Sequence, residues 1–351
     1  MKQIQIHGAG LSGLVAAINL AKAGYRVVVF ERENYIGGSP QYHPSAHMTP
    51  MHGPSTWEYI GIDLDRFFAP LDRFTVYIGE KDFNMDPTPL FVVERGGRKS
   101  SLDYFLFTEA QKLGVDFQFS APITPEKLSS LPENSIIATG LHPEMFQALK
   151  IPTVTFQYHI ATGRAPKGNL CFGYWDHYTP DYGYVAITNE LLLALVFARV
   201  RIKKDAGELF RKRIQDTEGL DITRWRHFSG SNPLRPTLFA GKLIVAGNLA
   251  GMMEPLFTFG IVGALHSGRI AAMAVMDRER ALKDFKEFTR HHVLLHKIPP
   301  VIRKTPWLLR KALLIKMLQN PERFGWATDY ISGGIPGYKG PRFVRKIKER
   351  N

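Results

Sequence analysis

One cysteine, Cys171, stands among 351 residues. A single thiol excludes a disulfide framework, a CxxC redox pair and a cysteine zinc site, and it fits a reducing cytosol. No apolar run is longer than Leu191 to Ala198, far short of the ~20 residues that cross a bilayer. No leader is expected, because residues 1–7 already read as strand. HExxH, internal repeats and low-complexity tracts are all missing. Acid is scarce at one end only. Arg278 to Asn351 holds 18 Lys and Arg against 6 Asp and Glu, so most of the net charge of +13 sits there. A near-neutral body with a basic tail predicts an acidic partner: a membrane surface, nucleic acid or an anionic substrate. Neither RNP-type aromatics nor a helix-turn-helix pattern accompanies the basic residues, so nucleic acid is not expected.

What is present is concentrated in residues 2–38. Ile4 and Ile6 open an apolar strand, Gly8-Ala9-Gly10-Leu11-Ser12-Gly13 follows at once, Leu14 to Ala23 reads as a helix, and Tyr25 to Phe30 as a second, fully buried strand ending at Glu31 and Arg32. This order suits a dinucleotide. Gly8 permits the tight turn, Gly10 lets backbone approach a pyrophosphate, and Gly13 lets the helix lie on the strand. The helix N-terminus supplies N–H groups and a positive pole. Glu31 would accept the adenosine ribose hydroxyls and disfavours a phosphorylated ribose, so FAD and NAD remain open.

Arg32 to Thr56 reads as a long loop carrying His43, His47 and His52. With no HExxH and no acid pair, these are pocket-lining imidazoles or plain loop residues rather than metal ligands. Strands are expected over Phe74–Gly79 and Pro89–Glu94. A helix is expected over Leu102–Leu113 with Ser101 as its cap, then a strand over Val115–Ser120. Ser135 to Ala138 is a strand ending in Thr139-Gly140. Residues 153–188 read as a second sheet crowded with aromatics, among them Tyr174, Tyr182 and Tyr184, a suitable floor for an apolar substrate. Asn189–Arg213 reads as mostly helical and Trp225–Pro236 as a loop. The first domain then returns with a strand ending at Ala246, the turn Gly247-Asn248-Leu249-Ala250-Gly251, and Pro255 to Gly260 leading into a helix from Ile261 to Met276.

The blocks GAGLSG with Glu31, IIATG, and GNLAGMMEPLFTFGI, in this order, resemble FAD-dependent oxidoreductases of the para-hydroxybenzoate hydroxylase superfamily. Residues 95–116 and the aromatic run Pro180–Ile187 are most similar to its geranylgeranyl reductase branch. The resemblance covers most of residues 1–275. It implies an α/β fold: a Rossmann-like FAD-binding domain (1–72, 95–150 and 230–277), an inserted antiparallel-sheet substrate domain (73–94 and 151–229) and a basic helical segment (278–351). It further implies that Gly8, Ala9, Gly10, Leu11, Ser12 and Gly13 meet the FAD pyrophosphate, with Glu31 and Arg32 near the adenosine ribose. Arg95 and Gly140 would lie along the cofactor, Gly247, Asn248 and Gly251 at its ribitol and diphosphate, and Pro255, Gly260 and Ile261 at the flavin edge. Tyr182, Tyr184 and Tyr174 would face substrate. The chain departs from the pattern at Asn248, where the family has Asp, and at Tyr184, where it has Trp. The halogenase motif Trp-x-Trp-x-Ile-Pro is missing.

The resemblance therefore implies an FAD enzyme that delivers hydride from reduced flavin to a carbon–carbon double bond of an apolar, isoprenoid-like substrate. NAD(P)H or a ferredoxin-type donor would be the reductant. His43, His47 and Tyr182 are the possible proton donors. The alternatives are an aromatic monooxygenase, or a non-catalytic flavoprotein at a membrane surface. Thr305–Gln319 mixes Trp307 and leucines with cations and has the composition of an interfacial helix, so a cytoplasmic protein with peripheral contact to an anionic membrane is expected.

Overall fold

The computed structural model describes residues 3–39, 41–178 and 181–319. Its first sheet has six strands, in the spatial order Phe239–Ala240, Leu243–Val245, Ile136–Ile137, Gln3–His7, Arg26–Phe30 and Asp116–Gln118. All neighbours run parallel except the outer hairpin Phe239–Ala240 with Leu243–Val245. Parallel strands are buried on both faces, so they carry unbroken apolar runs: Val27, Val28, Val29, Ile136, Ile137, Ile244 and Val245 are all buried. The helices Leu11–Lys22 and Ile261–Met276 pack against each other and both contact this sheet. Their approach is close because their contact is made by small groups. A Cβ on Gly268 would stand 2.5 Å from Ser12 O.

The second sheet has seven strands: Trp225–Pro233, Thr153–Arg164, Leu191–Ala198, Tyr182–Thr188, Leu170–Trp175, Arg73–Ile78 and Lys81–Met85. Its two faces follow from strand alternation. Phe172, Tyr174, Val185, Ile187, Ala194 and Val196 pack under the helix Ala206–Glu218 through Phe210 and Ile214. Phe156, Tyr158, Tyr182, Tyr184, Leu195 and Phe197 gather on the other face with Met253 of the first domain.

Three expectations are corrected here. Asn189–Arg213 is not mostly helical. Asn189 and Glu190 take positive φ (52° and 60°) and make a two-residue hairpin, so Leu191–Ala198 returns as a strand. Because that strand is buried on both faces, its apolar run carries no period to separate it from a helix. Trp225–Pro236 is largely an edge strand, Trp225–Pro233, with its proline at the end, where no ladder N–H is needed. The stretch Arg32–Thr56 contains a strand, Ser45–Pro50, which joins Leu90–Arg95 and Phe68–Pro70 in a small third sheet. The strand Leu90–Arg95 crosses the boundary expected at residues 94 and 95.

Among the described residues, four helices follow Met276: Arg278–Phe288, His292–Leu295, Ile298–Lys304 and Trp307–Gln319. In the last, Leu308, Leu309 and Leu313 face outward while Arg310 is buried against the body. Among the described residues no helix is long and apolar enough to cross a membrane. Pro180 and the basic run Lys339–Arg350 lie outside the described residues.

Candidate flavin-binding cleft

A cleft of about 970 Å³ joins the first glycine turn to the aromatic face of the second sheet. At one end stands the turn Gly8–Gly13. Gly8 has φ of +111°, and a Cβ there would come within 2.4 Å of Ala138 O; a Cβ on Gly13 would come within 1.9 Å of Gly8 O. Both positions are closed by backbone. Gly10 is the opposite case: nothing stands within 4 Å of its Cβ position, and it opens on the cleft. The first intrahelical bond runs from Leu14 N–H to Gly10 O (2.9 Å), so the N–H groups of Leu11 and Ser12, which line the cleft, precede it. The Glu31 carboxylate is fixed by the Ala9 N–H (2.7 Å) and the Glu33 N–H (3.0 Å) and lines the same cleft, with Arg32 beside it near His142 (3.4 Å).

The far end is built from the turn after Val245 and the start of the helix Ile261–Met276. Ser12 and Gly247 touch: a Cβ on Gly247 would meet Ser12 Oγ at 2.6 Å. Asn248, Gly260 and Ile261 open on the cleft. Asn248 Oδ1 is buried and meets no hydrogen-bond donor among the described residues. Gly140 lines the middle.

Not every expected contact reaches the cleft. The Gly247 N–H donates to Ser267 Oγ (2.7 Å), the Ala9 N–H is taken by Glu31, and the Gly251 N–H donates to Asn248 O (3.0 Å). Pro255 turns its carbonyl to Arg199 (2.6 Å). These residues, with Gly13, shape the cleft from behind. Tyr174 is a correction. It sits on the opposite face of the sheet, stacked on Tyr77 and hydrogen-bonded to Thr217 Oγ1 (2.9 Å). Tyr182 does face the cleft side, but its hydroxyl bonds Phe257 O and Thr258 Oγ1 (2.8 Å), so it braces the loop instead of reaching a ligand. Burial also holds its phenol well above the usual range, which makes it a poor acid. Tyr184 lines the cleft, with Phe156, Tyr158, Leu195, Phe197 and Phe228.

His43 and His47 both line the cleft and are joined through Ser45. His43 Nδ1 lies 2.8 Å from Ser45 Oγ, and Ser45 Oγ lies 2.9 Å from His47 Nε2. Burial, helped by the charge of Arg95, pushes His43 down to about 3 and His47 well below 6.5, so both are neutral at pH 7. Arg95 is clamped in bidentate fashion by the buried Asp103 (2.7 and 2.8 Å), which also accepts the Gly96 N–H. Ser45 was not readable as a functional residue. His43 and His47 stand four positions apart with Ser45 midway, and nothing in the sequence of the loop marks the three as one group. Glu254 was also missed. It is buried, accepts the Leu256 and Phe257 N–H groups (both 2.6 Å), and is pushed up to about 7 by burial. Its signal was available: it is the one charged residue between Leu243 and Gly268.

The fold is shared with solved structures of a reductase-like protein and of a monooxygenase. Over 99% of its length the chain superposes on 98% of a geranylgeranyl bacteriochlorophyll reductase-like protein from Thermoplasma acidophilum, with a TM-score of 0.73 and 15% identity. It is similar in the same way to the p-nitrophenol 4-monooxygenase of Pseudomonas putida DLL-E4, with a TM-score of 0.64 and 14% identity over 94% of this chain and 99% of that one. A family model described as an NAD(P)-binding Rossmann-like domain matches residues 6–68. Among curated proteins, the L-amino acid dehydrogenase of Synechocystis sp. is 29% identical over 177 residues, which are 48% of this chain and 34% of that protein. The match thus spans about a third of that relative's length.

Proposed function

We propose that the chain is an FAD-dependent oxidoreductase that reduces carbon–carbon double bonds of an apolar, isoprenoid-like substrate. One observation carries the reading: a single cleft runs from an open glycine turn, past an unpartnered amide oxygen, to a wall of six apolar and aromatic side chains. These residues fit FAD. The N–H groups of Leu11 and Ser12 would hold its pyrophosphate, Glu31 its adenosine ribose, and Asn248 Oδ1 a ribitol hydroxyl. The bound cofactor supplies hydride. The chain supplies position and dryness. Phe156, Tyr184, Leu195 and Phe197 would hold an unpolarised alkene and exclude water, which for such a substrate is most of the catalysis. The His43–Ser45–His47 row would relay a proton from water to the neighbouring carbon, each imidazole and the serine hydroxyl taking up one proton as it gives one up, so that the row ends as it began.

Because the Gly10 Cβ position is open, Gly10→Val is expected to fold and melt as the parent does but to bind FAD at least about tenfold more weakly, about 1.4 kcal/mol. An unchanged FAD affinity in a fluorescence titration would remove the cofactor from this cleft. Asn248→Ala should cost about 1–2 kcal/mol of FAD binding, and Asn248→Asp should retain it; equal loss in both would deny the amide a ligand contact. The reaction is tested by reducing the flavin with dithionite under argon and adding a polyprenyl alkene. Reoxidation without oxygen supports the reductase. Reoxidation only with oxygen, together with hydroxylation of an added phenol, would favour the monooxygenase, the activity named for one of the two similar structures.

A further inference from the structure

A second cavity, of about 450 Å³, shares no lining residue with the cleft. It lies between the residues that follow Ala198 and the last two helices. Arg201, Lys203, Arg303, Lys304 and Arg310 line it, with Trp307, and no carboxylate is among its described lining residues. Arg201, Lys203, Arg303 and Lys304 form no ion pair among the described residues. Arg303 Nη1 is buried and meets no acceptor among the described residues. Arg310 is 9% exposed and packs over the Trp307 ring at 5.1 Å. The acid nearest in influence, Asp181, is already held by the Arg199 guanidinium and by the Arg199 N–H (2.8 Å).

Five like charges around one concavity raise its potential and repel each other. A buried guanidinium N–H with no acceptor adds the cost of a lost hydrogen bond. An anion removes both costs at once. Planar guanidinium groups match the oxygens of a tetrahedral phosphate in pairs, and the lysines add point charge. The cavity admits a small head group and not a folded polymer.

We infer that this cavity binds a phosphate or diphosphate ester group. The inference stands apart from the reading of the cleft. Phosphate of this kind exists free or on a lipid. Both sources are tested because Val301, Leu308 and Leu313, 66%, 79% and 55% exposed, stand on the same two helices as Arg303, Lys304 and Arg310.

The experiment uses the full chain. Sodium pyrophosphate is titrated calorimetrically, and flotation is measured with phosphatidylcholine vesicles with and without phosphatidic acid. Saturable uptake of pyrophosphate is expected, weakened about tenfold or more in Arg303→Gln and in Arg201→Gln, as loss of a charged hydrogen bond requires. Arg201 is exposed, so its variant keeps the test decisive if Arg303→Gln fails to fold by circular dichroism. Flotation that needs phosphatidic acid and is competed by pyrophosphate identifies the lipid-borne source; pyrophosphate uptake without flotation identifies the free one. No saturable uptake of either probe overturns the site. So does affinity unchanged in both variants, or flotation that pyrophosphate and Arg201→Gln leave untouched, which would be general attraction to the basic tail.

Discussion

Arg199→Met is expected to cost about 3–5 kcal/mol of folding stability, the largest effect of any single substitution considered. Arg199 and Asp181 form an ion pair with side chains only 7% and 6% exposed. The same guanidinium donates to Pro255 O (2.6 Å) and Leu256 O. It therefore ties the second sheet to the loop Glu254–Phe259 at the cleft's far end. That loop is held from two further sides: Glu254 accepts two of its N–H groups, and the Tyr182 hydroxyl bonds Phe257 O and Thr258 Oγ1. Removing the arginine leaves the Asp181 carboxylate buried without its strongest counter-charge and two carbonyls without a donor. The double variant Arg199→Met with Asp181→Leu removes the stranded charge but not the stranded carbonyls. It should recover part of the loss and settle about 1–3 kcal/mol below the parent. Urea unfolding of the three proteins measures this. A single-variant loss under about 1 kcal/mol, or a double variant no better than the single, would mean that the pair does not fix the loop.

Arg199 also marks the limit of what the chain discloses by itself. The glycine turn is legible because its physics is local. Strand, Gly8, Gly10, Gly13, helix and Glu31 lie within one stretch, and each residue's requirement is set by its neighbours. The start of the helix at Ile261 and the cap at Ser101, which accepts the Tyr104 N–H (3.1 Å), are legible for the same reason. The second sheet is different. Tyr174 and Tyr184 look equivalent in sequence, but Gly173 pairs with Tyr184 in the ladder, so Tyr174 points to the opposite face. A register fixed by pairing between strands decides that, and no single strand contains it. Arg199 faces the same difficulty: its partners, Asp181 and residues 255–256, are 18 and 56 or more positions away. In the row His43–Ser45–His47, the strand Ser45–Pro50 places Ser45 and His47 on one face, and His43, just before it, joins them through the Ser45 hydroxyl (2.8 Å).

Between pH 7 and pH 5 the folded state is expected to lose at least about 3 kcal/mol. Burial holds His7 and His292 at about 4 and His43 at about 3, with His47 also depressed. An unfolded histidine titrates near 6.5. Below that value the unfolded chain takes up protons that the folded chain refuses, so stability present at pH 7 drains away as the pH falls. Each such histidine is worth about 2 kcal/mol over this interval. Glu254 acts in the other direction. Its folded value of about 7 lies above the unfolded one, so acidification relieves a buried charge and returns about 2 kcal/mol. The histidines outnumber it, and the net sign is loss. Two variants divide the sum. His7 stacks on Phe30 at 4.9 Å, and neither ring nitrogen has a hydrogen-bond partner among the described residues, so His7→Leu keeps the packing and should shrink the acid loss by about 2 kcal/mol. Glu254→Gln removes the opposing carboxyl and should enlarge it by a similar amount. Urea unfolding at pH 5, 6 and 7 reads all three proteins. A parent whose stability is flat or rises toward pH 5 would show that the buried imidazoles are protonated in the folded state. The neutral His43–Ser45–His47 row would fall with that result, because the same burial that drains stability in acid keeps those two rings uncharged beside Arg95.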